Sequence, residues 1–410
     1  MIHVIDSIMG SGKTTWAVNY IVTHPEYRYI YVAPFLKSCQ DMIEACPQLN
    51  FFEPVFEPTK SDSFKKAIAE GRNICTTHEL IKKIAMSETD VENIGRFNYV
   101  LILDEVVEVF DQICKARKQL DRAIVSEQVS YNEDTFECEW KSAETSDILA
   151  EIMNAAKAHN LIKTGSAYFY RMPMTFLRSF NTVFILTFMF ESSHLAHQMK
   201  ISHMQYEKYH IICDETGNRD ICHGEQDLTE SKARIKSLLT IYEGRNNDPY
   251  EAGHALSATW YKQKASIEDL HKLMARTKSV LKYPERIPSE NVMYATYALK
   301  PKKFRYTSLP IHNDYLFIEG YKKNCNITFN CRGLNDFRHK THLAYLVNTF
   351  EHPGLCQYFK KMGSPLDNDQ ISLSTMIQWI WRSAIRDGNP VWLYLPSARM
   401  RKLLTDWLNS

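Results

Sequence analysis

Short apolar runs alternate with amphipathic stretches along the first half of the chain. Residues 2–6 (Ile-His-Val-Ile-Asp) read as a short buried strand that leads into a glycine-rich turn. Apolar positions then recur at helical spacing through Tyr20 and Ile21. Further strands are predicted at 29–36, which contains Ala33-Pro34, at 73–77 ahead of a helix start, at 97–103, and at 181–190. Residues 131–140 alternate polar and apolar positions, the pattern of a hairpin. That hairpin lies in a polar stretch, 115–165, which reads as an insertion in the first domain.

A chain of 410 residues is too long for one core and suits two domains of about 200 residues each. The composition, 44% hydrophobic and 24% charged, is that of a globular protein, with no low-complexity tract. No apolar run approaches the ~18 residues of a membrane helix, and the most apolar segment, 183–190, is short enough for a buried strand. No signal peptide is expected, because residues 1–6 run straight into the turn. Ten cysteines without a CxxC pair match a reducing cytoplasm, and the spacing of His210, Cys213, Cys222 and His223 fits no common zinc pattern. The net charge of +1 hides an asymmetry. Residues 1–220 hold 22 basic and 30 acidic side chains, and the remainder hold 27 and 18. A basic second half points to an anionic partner, of which nucleic acid is the commonest.

The turn after the first predicted strand reads Ser7-Ile-Met-Gly10-Ser11-Gly12-Lys13-Thr14-Thr15. Strand, glycine-rich turn, Lys-Thr and helix together form the context of a phosphate loop. Backbone N–H groups of Gly10, Ser11, Gly12, Lys13, Thr14 and Thr15 would cradle phosphate at a helix N-terminus. Lys13 would reach the β- and γ-phosphates and Thr14 would offer its hydroxyl to Mg²⁺. Ser7 stands where the pattern usually has its first glycine. The strand predicted at 97–103 ends in Asp104-Glu105. Asp104 is positioned to hold Mg²⁺ and Glu105 to polarise a water as general base, since ligands of open α/β sheets gather at strand C-termini.

Together with further motifs, these residues resemble the superfamily 2 helicases and translocases. Residues 29–36, with Pro34, look like helicase motif Ia, and 73–80, with Thr76 and Thr77, look like motif Ib. A cap of the following helix is an equally good reading of Thr76 or Thr77. Thr187 alone matches motif III. Gln378, Arg382 and Arg386 resemble motif VI and, at four-residue intervals, would form one stripe of a helix. Either arginine would serve as the finger that meets charge on the γ-phosphate. Arg332 and Asn335 lie where motif V falls, and 255–260 resembles a motif IV strand end. Lysines 300, 302, 303, 322 and 323, with Arg305, Tyr306, Tyr315 and Tyr321, read equally as a nucleic-acid track or as a solvated basic face. An adenine-selecting aromatic and glutamine ahead of the loop, as in the DEAD-box proteins, is not expected.

The resemblance implies an α/β fold of two tandem RecA-like domains, mainly parallel sheets flanked by helices, at 1–215 and 216–410. It implies ATP and Mg²⁺ held between the lobes by Lys13, Thr14, Asp104 and Glu105, with Gln378 and Arg382 or Arg386 from the second lobe. It implies nucleic-acid contacts by Pro34, Thr76, Thr77, Arg332 and Asn335. The expected partner is single-stranded or duplex DNA, with RNA as an alternative, and the expected state is a cytoplasmic monomer of compact phage type. The competing classes are a packaging motor and a nucleic-acid clamp without unwinding.

Overall fold

Residues 1–82, 84, 86–114, 116–141, 150–282, 287–297, 316–330 and 336–410 are described by a computed structural model. The first strands are β1 (Ile2–Asp6), β2 (Arg28–Ala33), β3 (Ile74–Thr77) and β4 (Tyr99–Asp104). An excursion follows, with β5 (Phe110–Gln112), β6 (Val129–Tyr131), β7 (Cys138–Trp140), β8 (Leu161–Thr164) and β9 (Ala167–Arg171). The chain then returns through β10 (Thr182–Thr187), β11 (Glu207–Cys213) and β12 (Arg219–His223). One seven-stranded sheet results, in the order β12-β11-β1-β10-β4-β2-β3. Every neighbouring pair is parallel except β11 and β12, which form an antiparallel hairpin at the edge.

The central strands are apolar at nearly every position because both faces are covered. Alternation sends successive residues to opposite sides. Val4, Ile30, Val32, Leu101, Leu103 and Ile185 join one core cluster. Ile5, Tyr29, Tyr31, Ile102, Phe184 and Leu186 join the other, with Trp16, Ala17 and Ile21 of helix α1 (Lys13–Thr23). The excursion builds a small sheet, β5-β9-β8, and the hairpin β6-β7, around Leu120, Trp140, Leu161 and Tyr168. The hairpin expected at 131–140 is present and begins two residues earlier, at Val129.

The chain divides into two units, Met1–Gln226 with His352–Asp367, and Asp227–Glu351 with Asn368–Ser410. The first unit thus runs past residue 215, because β12 is still a strand of its sheet. It also takes back the helix Pro353–Lys361, whose Tyr358 and Phe359 are fully buried in its core. The second unit is built on β13 (Leu239–Ile241), β14 (Val292–Ala295), β15 (His342–Tyr345) and β16 (Val391–Tyr394), all parallel, in the order β13-β16-β15-β14. Its core gathers Leu256, Tyr261, Leu273, Tyr294, Ala344 and Tyr394. Two units on parallel sheets flanked by helices place the chain in the α/β class.

No strand forms at 255–260. The backbone turns through a positive φ of 60° at Leu256, and Ser257 makes a single bridge to Asn348. The Asn348 amide donates to the carbonyls of Gly253 and Ala255, and the chain turns helical from Ala258. Among the described residues, no helix is long and apolar enough to cross a membrane.

Candidate nucleotide site

β1 ends at Asp6, and the chain turns through Ser7–Gly12 into α1. Gly10 and Gly12 have φ of 80° and 95°, in the left-handed region that glycine enters without strain. α1 has no side-chain cap, so the N–H groups of its first turn stay available to an anion at the positive end of the helix. The Ser11 hydroxyl is buried and makes no hydrogen bond within the protein. Lys13 folds over the loop and donates through Nζ to the carbonyls of Ser7 (2.5 Å) and Ile8 (3.2 Å). A left-handed loop, a bare helix end, an unsatisfied buried hydroxyl and a lysine suit a polyphosphate.

The acidic pair ends β4. In the sheet, β10 lies between β1 and β4, so loop and acids stand two strand spacings apart, about 10 Å. That span suits a terminal phosphate, a hydrated cation and a water. Tyr31 donates its hydroxyl to Asp104 Oδ2 at 2.6 Å. Burial, and then the neighbouring Glu105, push the Asp104 carboxyl up to about 6, against the pull of the Tyr31 hydrogen bond and Lys13. Glu105 sits at φ 67° and donates its N–H to Leu186 O at 2.9 Å. A non-glycine residue held there stores about 1–2 kcal/mol of strain, which is common where a side chain must be aimed. The groups that could hold a cation are the exposed Thr14 hydroxyl and the Asp104 carboxylate. Such hard oxygens fit Mg²⁺, which binds through one or two protein groups plus substrate phosphate.

A curated relative, the SPbeta prophage-derived protein YonV of Bacillus subtilis (strain 168), is 32% identical over 424 aligned positions, covering 100% of this chain and 99% of that one. The chain belongs to the YonV family. Residues 233–408 match the YonV C-terminal Rossmann-like domain. Among solved structures, an XPD structure covers 99% of this chain and 95% of its own, at 11% identity and TM-score 0.43. S. tokodaii Xpd4 covers 99% and 94%, at 10% identity and TM-score 0.46. The DUF1998 helicase MrfA bound to DNA and AMPPNP covers 100% of this chain and 48% of its own, at 12% identity and TM-score 0.35. Scores at this level leave the functional reading to the site itself.

In this YonV-family chain the motif residues of the first unit share one edge of the sheet. Pro34 follows β2, which lies beside β4, and Thr76 and Thr77 end β3, the edge strand beyond β2. Thr76 is buried, and Thr77 occupies the N-cap position of the helix His78–Ile81 without a side-chain cap bond. In the second unit Gln378 lies in the helix Asn368–Ile380, but Arg382 and Arg386 do not continue it. The helix ends at Ile380, where the Ser383 hydroxyl donates to the Ile380 carbonyl at 2.7 Å. Ser383 then leaves the helical region (ψ −170°), and Arg386 lies in the separate turn Ala384–Asp387. A serine bond to its own backbone competes with helix continuation, so the expected single stripe is broken. Arg382 is 8% exposed. Burial, then the neighbouring Arg338 and Arg382, push the Arg386 guanidinium below its ordinary value. Arg332, Asn335, the lysines at 300, 302 and 303, Arg305, Tyr306 and Tyr315 lie outside the described residues.

Several residues around the loop carry no sequence signal. The Asp6 carboxylate accepts the N–H groups of Met189 (2.8 Å) and Phe190 (2.9 Å), tying the end of β1 to the turn after β10. His78 donates Nε2–H to the Asp104 carbonyl at 2.9 Å, since a carbonyl can only accept. Ser7, fully buried, accepts the Ile211 N–H at 2.7 Å and donates its own N–H to Thr187 O at 2.9 Å. This explains the departure from glycine at the head of the loop, because a serine hydroxyl pins β11 to it. Ser7→Ala orphans a buried N–H and is expected to lower unfolding stability by about 1–3 kcal/mol in urea titration. A loss under about 0.5 kcal/mol would show that Ile211 finds another acceptor.

Proposed function

We propose that the chain is a nucleic-acid-dependent ATPase of helicase or translocase type that acts on DNA and uses ATP with Mg²⁺. One observation carries this reading. The sheet brings the glycine-rich loop, with Lys13, and the Asp104-Glu105 turn to the same strand ends, with only β10 between them. When bound, the cation would supply charge neutralisation at the phosphates, with Thr14 and Asp104 as its protein ligands. Lys13 would bind the β- and γ-phosphates. Glu105 would orient and deprotonate the attacking water. Asp6 and Ser7 would keep the loop in register with the turn after β10. The excess of basic over acidic residues beyond position 220 and the motif-like residues Pro34, Thr76 and Thr77 at the same sheet edge support nucleic acid as the partner.

The test is ATP hydrolysis by the purified chain with and without single-stranded DNA, duplex DNA and RNA, beside Lys13→Ala. The expected result is DNA-stimulated hydrolysis that falls to background in the variant. Hydrolysis indifferent to all three nucleic acids would overturn the motor reading. Hydrolysis that survives Lys13→Ala would overturn the assignment of the site.

A further inference from the structure

The hairpin β11-β12 has no place in the motif reading, yet it reaches the phosphate loop. β11 pairs with β1 from His3 to Ile5 and then extends past it, so that Ile211 lies against Ser7 and the hairpin tip lies beside the loop. The tip is set by Asp214, whose carboxylate accepts the N–H groups of Thr216 and Asn218 and the Thr216 hydroxyl. Arg219, opposite Cys213 at the start of β12, is carried onto the loop. Its Nε donates to Ser11 O at 3.3 Å and its Nη1 to Gly217 O at 2.6 Å. The approach is so close that a Cβ on Gly12 would stand 2.1 Å from Arg219 Cδ and Nε. Gln226 Oε1 also reaches the loop, accepting the Ile8 N–H at 2.8 Å.

A guanidinium has five N–H donors, and two carbonyls use two of them. Among the described residues Arg219 forms no ion pair, and its Nη2 donates to no group. The cation therefore sits against the N-terminal, positive end of α1 without a carboxylate to balance it. That placement is unfavourable by itself and becomes favourable when an anion lies between the two. The neighbouring Ser11 hydroxyl, buried and without a hydrogen bond, points to the same anion.

We infer that Arg219 is a phosphate-binding residue of the nucleotide site, a second cation supplied within the same unit by the edge hairpin. The inference rests on the nucleotide reading above. It assigns Arg219 to the polyphosphate and not to the base, so its contribution is shared by every nucleoside triphosphate and by inorganic tripolyphosphate. It also gives Gly12 a second reason to be glycine, since a side chain there would displace Arg219.

The test measures binding of ATP and of inorganic tripolyphosphate, by competition with a fluorescent ATP analogue, to the full chain and to Arg219→Gln, Arg219→Lys and Lys13→Ala. Thermal unfolding of each variant checks that it folds. Arg219→Gln is expected to weaken both ligands by roughly 10- to 100-fold, the range for a lost charge-assisted hydrogen bond. Arg219→Lys is expected to recover part of the loss by restoring the charge, a rescue that a purely structural arginine would not show. Equal affinities for both ligands in Arg219→Gln and the parent chain would overturn the assignment while leaving the nucleotide site standing. A loss for ATP with none for tripolyphosphate would also overturn it, placing Arg219 on the base or ribose. A parent chain that binds neither ligand would instead overturn the underlying reading.

Discussion

Glu105→Gln is expected to bind ATP about as tightly as the parent chain while its turnover falls by roughly 10²- to 10⁴-fold, the usual contribution of a positioned general base. Binding should persist because the groups proposed to meet the phosphates are Lys13 and the loop amides, two strand spacings from Glu105. The substitution keeps size and hydrogen bonding, and it keeps the backbone, whose N–H is fixed to Leu186 O. What it removes is the capacity to take a proton. It also removes the charge that raises the Asp104 carboxyl, so affinity for Mg²⁺ near pH 6 should change far less than turnover. Single-turnover hydrolysis beside equilibrium ATP binding separates these effects. Turnover within threefold of the parent would assign the base elsewhere. A parallel collapse of ATP binding would mean that Glu105 holds the loop and is not a base.

Much of the first unit was legible because its signals are local. Buried parallel strands write continuous apolar runs, so β1, β2, β4 and β10 stood out, and the loop's glycines mark backbone that other residues reach only with strain. What escaped depends on contacts distant in sequence. Asp6 looks like a strand end until the turn at Met189 folds onto it. Ser7 looks like a lapse from pattern until Ile211 is beside it. His78 and Arg219 act through carbonyls of Asp104 and Ser11, and no spacing rule encodes a backbone partner. The division of the chain was hidden for a related reason. The helix Pro353–Lys361 is an ordinary amphipathic pattern, and its sequence does not say whose core receives Tyr358 and Phe359. The arginine stripe failed on a local feature that a periodicity count ignores, the bond from Ser383 to Ile380 that ends the helix before either arginine.

Asp104→Asn tests the electrostatics of the same site through stability, and the two states of the protein should respond in opposite directions. The Asp104 carboxyl ionises near 6 in the folded chain against 3.8 ordinarily, so folding favours its protonated form. Its contribution to stability is therefore fully present below about pH 4 and is lost as pH rises through about 6. Without Mg²⁺ at pH 8, replacing the charged group by a neutral amide that can still accept from Tyr31 should raise unfolding stability by about 1–3 kcal/mol. At pH 4 the difference should vanish. With Mg²⁺ and ATP the order should reverse. The parent chain gains stability in proportion to the logarithm of ligand concentration over Kd, and the variant, lacking the anionic ligand, gains less. With Asp104 as the proposed ligand, protons would compete with the cation below pH 6, and the parent's Mg²⁺ affinity should fall about tenfold per pH unit. Urea unfolding at pH 4, 6 and 8, with and without Mg²⁺ and ATP, reads all of these. A variant less stable than the parent at pH 8 without Mg²⁺ would show that the Tyr31 hydrogen bond to a true carboxylate outweighs the cost of burying its charge.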